Sequence, residues 1–123
     1  MDTVFICHPR CSTCKKAQEF LDKAGIGYVK RDITVDNPAK DELYAWISQS
    51  GLEVRKFFNT SGMLYRDLGL KDKLDSMSLE EKIELLASDG MLVKRPILLY
   101  KNKVLVGFNE KQWSEALNDN TPL

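Results

Sequence analysis

Thr3-Val4-Phe5-Ile6-Cys7-His8-Pro9-Arg10-Cys11-Ser12-Thr13-Cys14-Lys15-Lys16-Ala17, continued by Phe20, Leu21 and Ala24, decides how the rest of the chain is read. Thr3 to Cys7 is short, β-branched and apolar, the pattern of a buried strand. His8-Pro9-Arg10 breaks it, because proline lacks the N–H that a ladder needs. From Lys15 the apolar residues recur at Ala17, Phe20, Leu21 and Ala24, which is helical spacing. The stretch predicts a strand over about Thr3 to Cys7 and a helix over about Cys11 to Lys23, with Gly25 as the stop. Cys11 and Cys14 then stand at a helix N-terminus.

That position is chemically informative. Unpaired backbone N–H groups and the helix dipole favour a thiolate over a thiol. Arg10, Lys15 and Lys16 add positive charge close by, which lowers a thiol pKa further. Cys11, at the cap or first turn, is the expected nucleophile. Cys14, about one turn on and less exposed, suits a resolving thiol that attacks a mixed disulfide at Cys11. A C-x-x-C beside a β-α-β pattern reads as a thioredoxin-like redox motif. Cys7 alternates with Phe5 and Thr3 along its strand and reads as a buried small residue. His8 reads as a loop residue close enough to help hold a thiolate. Cys7, His8, Cys11 and Cys14 are four soft donors, but adjacent residues 7 and 8 converge poorly with two helix-start thiols in a tetrahedral site. The C-x3-C-x2-C spacing also occurs in radical-SAM enzymes, on a far larger scaffold than this chain provides.

The 123 residues suit a single domain with one core, and 18 basic side chains cancel 18 acidic ones. That balance argues against a general nucleic-acid binder. No basic-then-apolar leader and no membrane-length apolar run is present, so the expected compartment is cytoplasmic. Three clustered cysteines in a reducing compartment point to redox or metal chemistry rather than to a disulfide framework.

Outward from the motif, a second strand is expected over about Tyr28 to Asp32, parallel to the first through the helical crossover. Asn37-Pro38 precedes a helical stretch from Ala39 to Ser50. Short apolar pieces follow from Val54 to Leu74, broken by Gly51, Gly62 and Gly69. Ser78 with Glu81 forms a capping box for a helix ending near Ser88. Nothing between Thr34 and Leu92 reads as a strand, so about 34–92 is expected to be a helical insertion. Pro96-Ile97-Leu98-Leu99-Tyr100 and Val104-Leu105-Val106-Gly107-Phe108, joined by Lys101-Asn102-Lys103, read as a hairpin. Asn109 caps a last helix carrying Trp113, Ala116 and Leu117. The expected fold is α/β, a mixed β-α-β / β-β-α sheet with a helical insertion, forming one domain over 1–123. Lys94-Arg95-Pro96 is the second informative spot. A proline opening a strand suggests a cis bond, and Arg95 offers a fork of donors to an oxyanion or a thiolate. Arg55, Lys56 and Arg66 read as solvated.

Four motifs in this order carry a family resemblance over nearly the whole chain. They are Cys7-His8-Pro9-Arg10-Cys11-Ser12-Thr13-Cys14-Lys15-Lys16-Ala17, Phe57-Phe58-Asn59-Thr60-Ser61-Gly62, Tyr65-Arg66-Asp67-Leu68-Gly69-Leu70, and Lys94-Arg95-Pro96-Ile97 with Val106-Gly107-Phe108-Asn109-Glu110. Together they resemble the arsenate reductase/Spx family, a thioredoxin-fold group with a helical insertion. The resemblance implies that Cys11 is the nucleophile, that Arg95 precedes the family's cis-proline, and that Pro96 is that proline. Arg10 and Pro96 are then expected to contact substrate. Arsenate-reducing members use further arginines; the matching positions hold Asn59 and a residue near Gly107, neither of them charged, which argues against arsenate as the substrate. The second cysteine resembles Spx, whose C-x-x-C is a redox switch and which binds the C-terminal domain of the RNA polymerase α-subunit. The Phe57 to Gly62 segment is more similar to arsenate-reductase-related members than to Spx itself. Two functions follow as expectations: a thiol–disulfide oxidoreductase related to arsenate reductase, or a Spx-like redox-sensing transcriptional regulator. The implied partners are a thiol reductant (thioredoxin, glutaredoxin or a low-molecular-weight thiol) and, for the regulator, RNA polymerase, with no direct nucleic-acid or membrane contact. Neither reading requires a metal or organic cofactor.

Overall fold

The computed structural model describes residues 3–118. Its residues cluster into two compact units, one made of the chain up to Asp32 and from Arg95 onward, the other of Ile33–Lys94. In the first unit, β1 is Val4–Cys7, α1 Ser12–Lys23, β2 Val29–Asp32, β3 Ile97–Tyr100, β4 Lys103–Val106 and α6 Glu110–Leu117. In the second, α2 is Lys40–Ser50, α3 Met63–Asp67, α4 Leu70–Lys73 and α5 Leu79–Ser88, with short 3₁₀ turns at Val54–Phe57, Leu74–Ser76 and Gly90–Leu92.

The four strands form one sheet in the order β2-β1-β3-β4. β1 pairs parallel with β2, Val4 opposite Val29 and Cys7 opposite Asp32. β3 pairs antiparallel with both β1 and β4. This is the mixed sheet expected from the sequence, with α1 as the crossover that a parallel pair requires. Alternation along β1 turns Phe5 and Cys7 to one face. There they share a buried cluster with Cys14, Ala17 and Leu21 of α1, Leu98, Tyr100 and Leu105 of the hairpin, and Trp113 of α6. Trp113 is fully buried. Its indole N–H donates to the Gly107 carbonyl at 3.0 Å, so burying the ring leaves its polar end satisfied. Phe108 meets Trp113 edge-on at 5.0 Å, and Phe5 and Phe20 each lie 6.4 Å from it.

The hairpin differs from its sequence reading at both ends. Lys103 belongs to β4 and faces Tyr100, leaving Lys101-Asn102 as a two-residue loop with Lys101 at φ 51°. Lys103 tolerates the strand because its ammonium reaches the Ala116 carbonyl of α6 at 3.0 Å. β4 stops at Val106 because Gly107 takes φ 75°, and Phe108 leaves the ladder for the aromatic cluster. Between α1 and β2, Gly25 at φ 71° follows the capping residue Ala24 and ends the helix as expected.

In the second unit, α2 packs on α5. The segment before α2 is held to the end of α5 by the Asn37 amide, which donates to the Ala87 carbonyl at 2.8 Å. One extended contact was not legible in the sequence: Phe58 and Val93 form an isolated antiparallel bridge, flanked by Asn59 N–H to Leu92 O and Lys94 N–H to Phe57 O, both 2.8 Å. A single bridged pair has no alternating run to announce it. Arg55 is solvent-accessible as expected and pairs there with Asp75 at 2.6 Å, and Arg66 is exposed.

The capping box at α5 is complete. The Ser78 hydroxyl accepts from the Glu81 amide at 3.1 Å, and the Glu81 carboxylate accepts from the Ser78 amide at 3.0 Å. These bonds to the backbone and side chain of Ser78 hold the Glu81 carboxyl below its ordinary range. The stabilisation is present above the carboxyl's unfolded pKa and is lost as pH falls through its lower folded value. Ser78→Ala is expected to lower stability by about 1 kcal/mol in urea unfolding at neutral pH. An unchanged midpoint would contradict the role of the cap.

Candidate active site

The site is built at the junction of β1 and α1. Cys7 ends β1, and the turn from His8 to Cys11 closes with the Cys11 amide donating to the His8 carbonyl at 3.2 Å. The Arg10 amide donates to Nδ1 of His8 at 3.0 Å, so the His8 ring helps shape this turn. Cys11 then occupies the N-cap in an extended conformation, φ −91° and ψ 119°, rather than the first helical turn. Its Sγ accepts from the Cys14 amide at 3.4 Å, where a serine or aspartate oxygen ordinarily sits. Helix α1 therefore starts on a sulfur atom.

The two thiols of the motif occupy different environments. Cys11 is partly exposed, whereas Cys14 is 3% exposed and belongs to the apolar cluster under α1. Cys14 Sγ accepts from the His8 amide at 3.4 Å. Burial alone would push the Cys11 thiol up. It is outweighed by the Cys14 amide and thiol, the Thr13 amide and the positive Arg95 guanidinium, and the net direction is down. Cys14 is pushed up to about 12, chiefly by burial; the His8 amide opposes this, and the thiol and charge of Cys11 add to it. Cys7 is also raised, first by burial, with Lys30 opposing and Asp32 and Cys11 adding.

Arg95 thus acts on Cys11 although it lies far along the chain, and the Arg95-Pro96 peptide bond is cis. Pro96 accepts from the Gly107 amide at 2.8 Å through its carbonyl. Of the cations expected around the thiolate, Arg10 and Lys15 line a cavity of about 280 Å³ that contains Cys7, Cys11 and Cys14, while Lys16 is exposed elsewhere on α1. Two lining residues were missed in the sequence. Gln18 was recoverable, because it lies one turn beyond Cys14 on the same helical face. Lys30 was not, since the β1–β2 register that places it appears only in the folded sheet. Asn59 lies in the second unit, where its amide reaches the Met91 carbonyl at 3.5 Å. Among the described residues, no three His, Cys, Asp or Glu side chains form a metal-holding group.

The model of the ArsC family matches residues 7–116, which include the cysteines, the cis-proline and most of α6. The chain belongs to the ArsC family. It is 50% identical over 115 residues to the uncharacterized protein YusI of Bacillus subtilis (strain 168), a match covering 94% of this chain and 98% of that one. The crystal structure of an ArsC family related protein from Bacteroides fragilis superposes with a TM-score of 0.90 at 50% identity, covering 94% of this chain and 97% of that one. The global transcriptional regulator Spx of Streptococcus agalactiae serotype V is 28% identical over 112 residues, 91% of this chain and 80% of its own. The fold is that of the ArsC proteins, and no helix among the described residues is long and apolar enough to cross a membrane.

Because only the thiolate is nucleophilic, the two environments predict ordered reactivity. With limiting iodoacetamide at pH 7, Cys11 is expected to be alkylated on the order of a hundredfold faster than Cys14, read by peptide fragmentation. Its rate should rise with pH through a midpoint below the ordinary thiol value. Arg95→Gln should move that midpoint upward. Faster labelling of Cys14 would reverse the assignment.

Proposed function

We propose that this ArsC family protein is a thiol–disulfide oxidoreductase acting through Cys11 and Cys14. The observation that carries this reading is the paired contrast of the two thiols: Cys11 is accessible and held toward the thiolate, and Cys14 is buried beneath it and held toward the thiol. Groups of one chemical type pushed apart by their surroundings divide into attacking and waiting roles. The Cys11 thiolate attacks one sulfur of a disulfide substrate, forms a mixed disulfide and expels the other half as a thiolate. Cys14 then gives up its proton and attacks Cys11 Sγ, expelling the second thiolate. The substrate gains two electrons, and the protein is left with a Cys11–Cys14 disulfide.

The timing of the second step follows from what holds Cys14 up. Two of the causes are the charge of Cys11 and its hydrogen bond. Both disappear once Cys11 is tied into a mixed disulfide, so consumption of the nucleophile releases the resolving thiol. Arg95 orients the incoming anionic group and steadies the Cys11 thiolate, with Arg10 and Pro96 beside the substrate. A cytosolic thiol system such as thioredoxin, glutaredoxin or a low-molecular-weight thiol restores the dithiol. Arsenate is a poor substrate in this reading. Arg95 would be the one guanidinium left at the positions where arsenate-reducing relatives carry charge, since Asn59 and the neighbourhood of Gly107 provide none, and loss of one preorganised donor commonly costs roughly a hundredfold or more in rate.

The second reading is a redox-sensing regulator that binds the α-subunit of RNA polymerase. It is favoured by the second cysteine and by the similarity to Spx. Turnover separates the two. With a small disulfide and a thioredoxin or glutaredoxin couple, Cys11→Ser is expected to abolish reduction. Cys14→Ser is expected to accumulate a mixed disulfide visible by mass. Arsenate reduction should stay below about 10⁴ M⁻¹s⁻¹ in kcat/KM. Full turnover by Cys11→Ser would overturn the oxidoreductase, and redox-dependent capture by the polymerase α C-terminal domain without turnover would establish the regulator.

A further inference from the structure

Cys7 has no part in the chemistry above, yet it lies within it. It ends β1 with its side chain on the α1-facing side of the sheet, in the same buried cluster as Cys14, and is only 2% exposed. It also lines the same cavity as Cys11 and Cys14. Cys14 is tethered in two directions: its amide holds Cys11 Sγ, and its own Sγ is held by the amide of His8, the residue directly after Cys7. Cys7 thus shares both the buried cluster and the cavity with Cys14, which is joined through its amide to Cys11 and through its Sγ to the residue after Cys7.

We propose that Cys7 is a second resolving thiol, which moves the disulfide inward from Cys11–Cys14 to Cys7–Cys14. The inference rests on the Cys11–Cys14 chemistry proposed above. Cys7 loses its proton to water in the cavity and attacks Cys14 Sγ. The Cys11–Cys14 bond breaks, a Cys7–Cys14 bond forms, and Cys11 leaves as a thiolate. The exchange is internal, so the number of oxidised sulfurs is unchanged and no further oxidant is needed. Its direction has a physical cause. Thiol–disulfide exchange expels the better-stabilised thiolate. Of the three sulfurs, Cys11 has the N-cap amides and Arg95 to stabilise it, whereas Cys7 and Cys14 are buried and favour the neutral or bonded state. Lys30, which lines the same cavity, offsets part of the cost of forming its thiolate, while Asp32, opposite Cys7 in β2, adds to that cost. The consequence is functional: the nucleophile is restored while the oxidising equivalents are stored under α1.

Trypsin provides the test, because Arg10 separates Cys7 from the Cys11–Lys15 peptide. The protein is oxidised with a modest excess of oxidised glutathione, quenched in acid, alkylated with N-ethylmaleimide and digested. A Cys11–Cys14 disulfide stays within one peptide, whereas a Cys7–Cys14 disulfide joins two and leaves the label on Cys11. The expected result is a joined pair with labelled Cys11, and at least fivefold more labelled Cys11 in oxidised wild type than in oxidised Cys7→Ala. As a check that does not depend on how Cys7→Ala folds, Cys11→Ser should form the Cys7–Cys14 link under diamide. Only the Cys11–Cys14 disulfide would overturn this inference and leave the oxidoreductase standing. A Cys7–Cys11 link would overturn it as well, and no disulfide at all would overturn both.

Discussion

Helix α1 begins on the sulfur of Cys11, and most of the site follows from that bond. An N-cap acceptor must stand in extended backbone just outside the helix, within reach of the N–H groups of the first turn. Pro9 and the His8 turn deliver Cys11 to that place, and the buried face of Ala17 and Leu21 fixes how α1 lies on β1. The same geometry leaves Cys14 at the third helical position, facing inward. Capping, packing and reactivity are thus one arrangement. An oxygen at the cap would start the helix as well, but only sulfur makes the acceptor a nucleophile.

The second consequence is an electrostatic division between two side chains of the same type. The amide donors that satisfy the helix N-terminus are spent on Cys11, so its negative charge is solvated by the protein. Cys14 receives one amide, from His8, and is buried in the apolar cluster that also holds Phe5, Ala17, Leu21 and Trp113. Apolar burial penalises a charged sulfur more than one such donor relieves. The aromatic cluster around Trp113 therefore has a chemical effect as well as a mechanical one. The burial to which it contributes disfavours charge on Cys14 and leaves it to the more exposed Cys11.

How much of this was legible in the sequence depended on whether the signal was local. The β1 strand, the α1 period, the Gly25 stop, the Ser78-Glu81 box and the Asn109 cap are short-range patterns, and each element stands where its pattern placed it to within about a residue. The thiol contrast was also legible, because helix position alone separates a cap residue from one turned inward. The source of the charge was legible only in part. Arg95 was a candidate donor to the thiolate from its place before Pro96, as Arg10, Lys15 and Lys16 were from their nearness in sequence; Arg95 is the cation among the leading influences on the Cys11 thiol, and only the sheet brings β3 alongside β1. The same holds for Lys30, which depends on the parallel register, and for the Phe58–Val93 bridge, which depends on two segments meeting once.

Cys7 shows where a sequence argument stops for a different reason. Reading it as a buried strand residue was right as a description, since it is buried and packs with Phe5. Burial and reactivity are commonly treated as alternatives for a cysteine, because an apolar environment raises the thiol pKa. They cease to be alternatives when the neighbour is itself a sulfur that alternates between thiol and disulfide. A buried thiol needs little thiolate at equilibrium if the group it attacks is held in contact and the group it expels is strongly stabilised. The β1–α1 junction provides a low-pKa leaving group, an inward-turned central sulfur and a third thiol lining one cavity. In the proposed exchange, what the strand pattern identified as core packing is also the inner end of the reactive group.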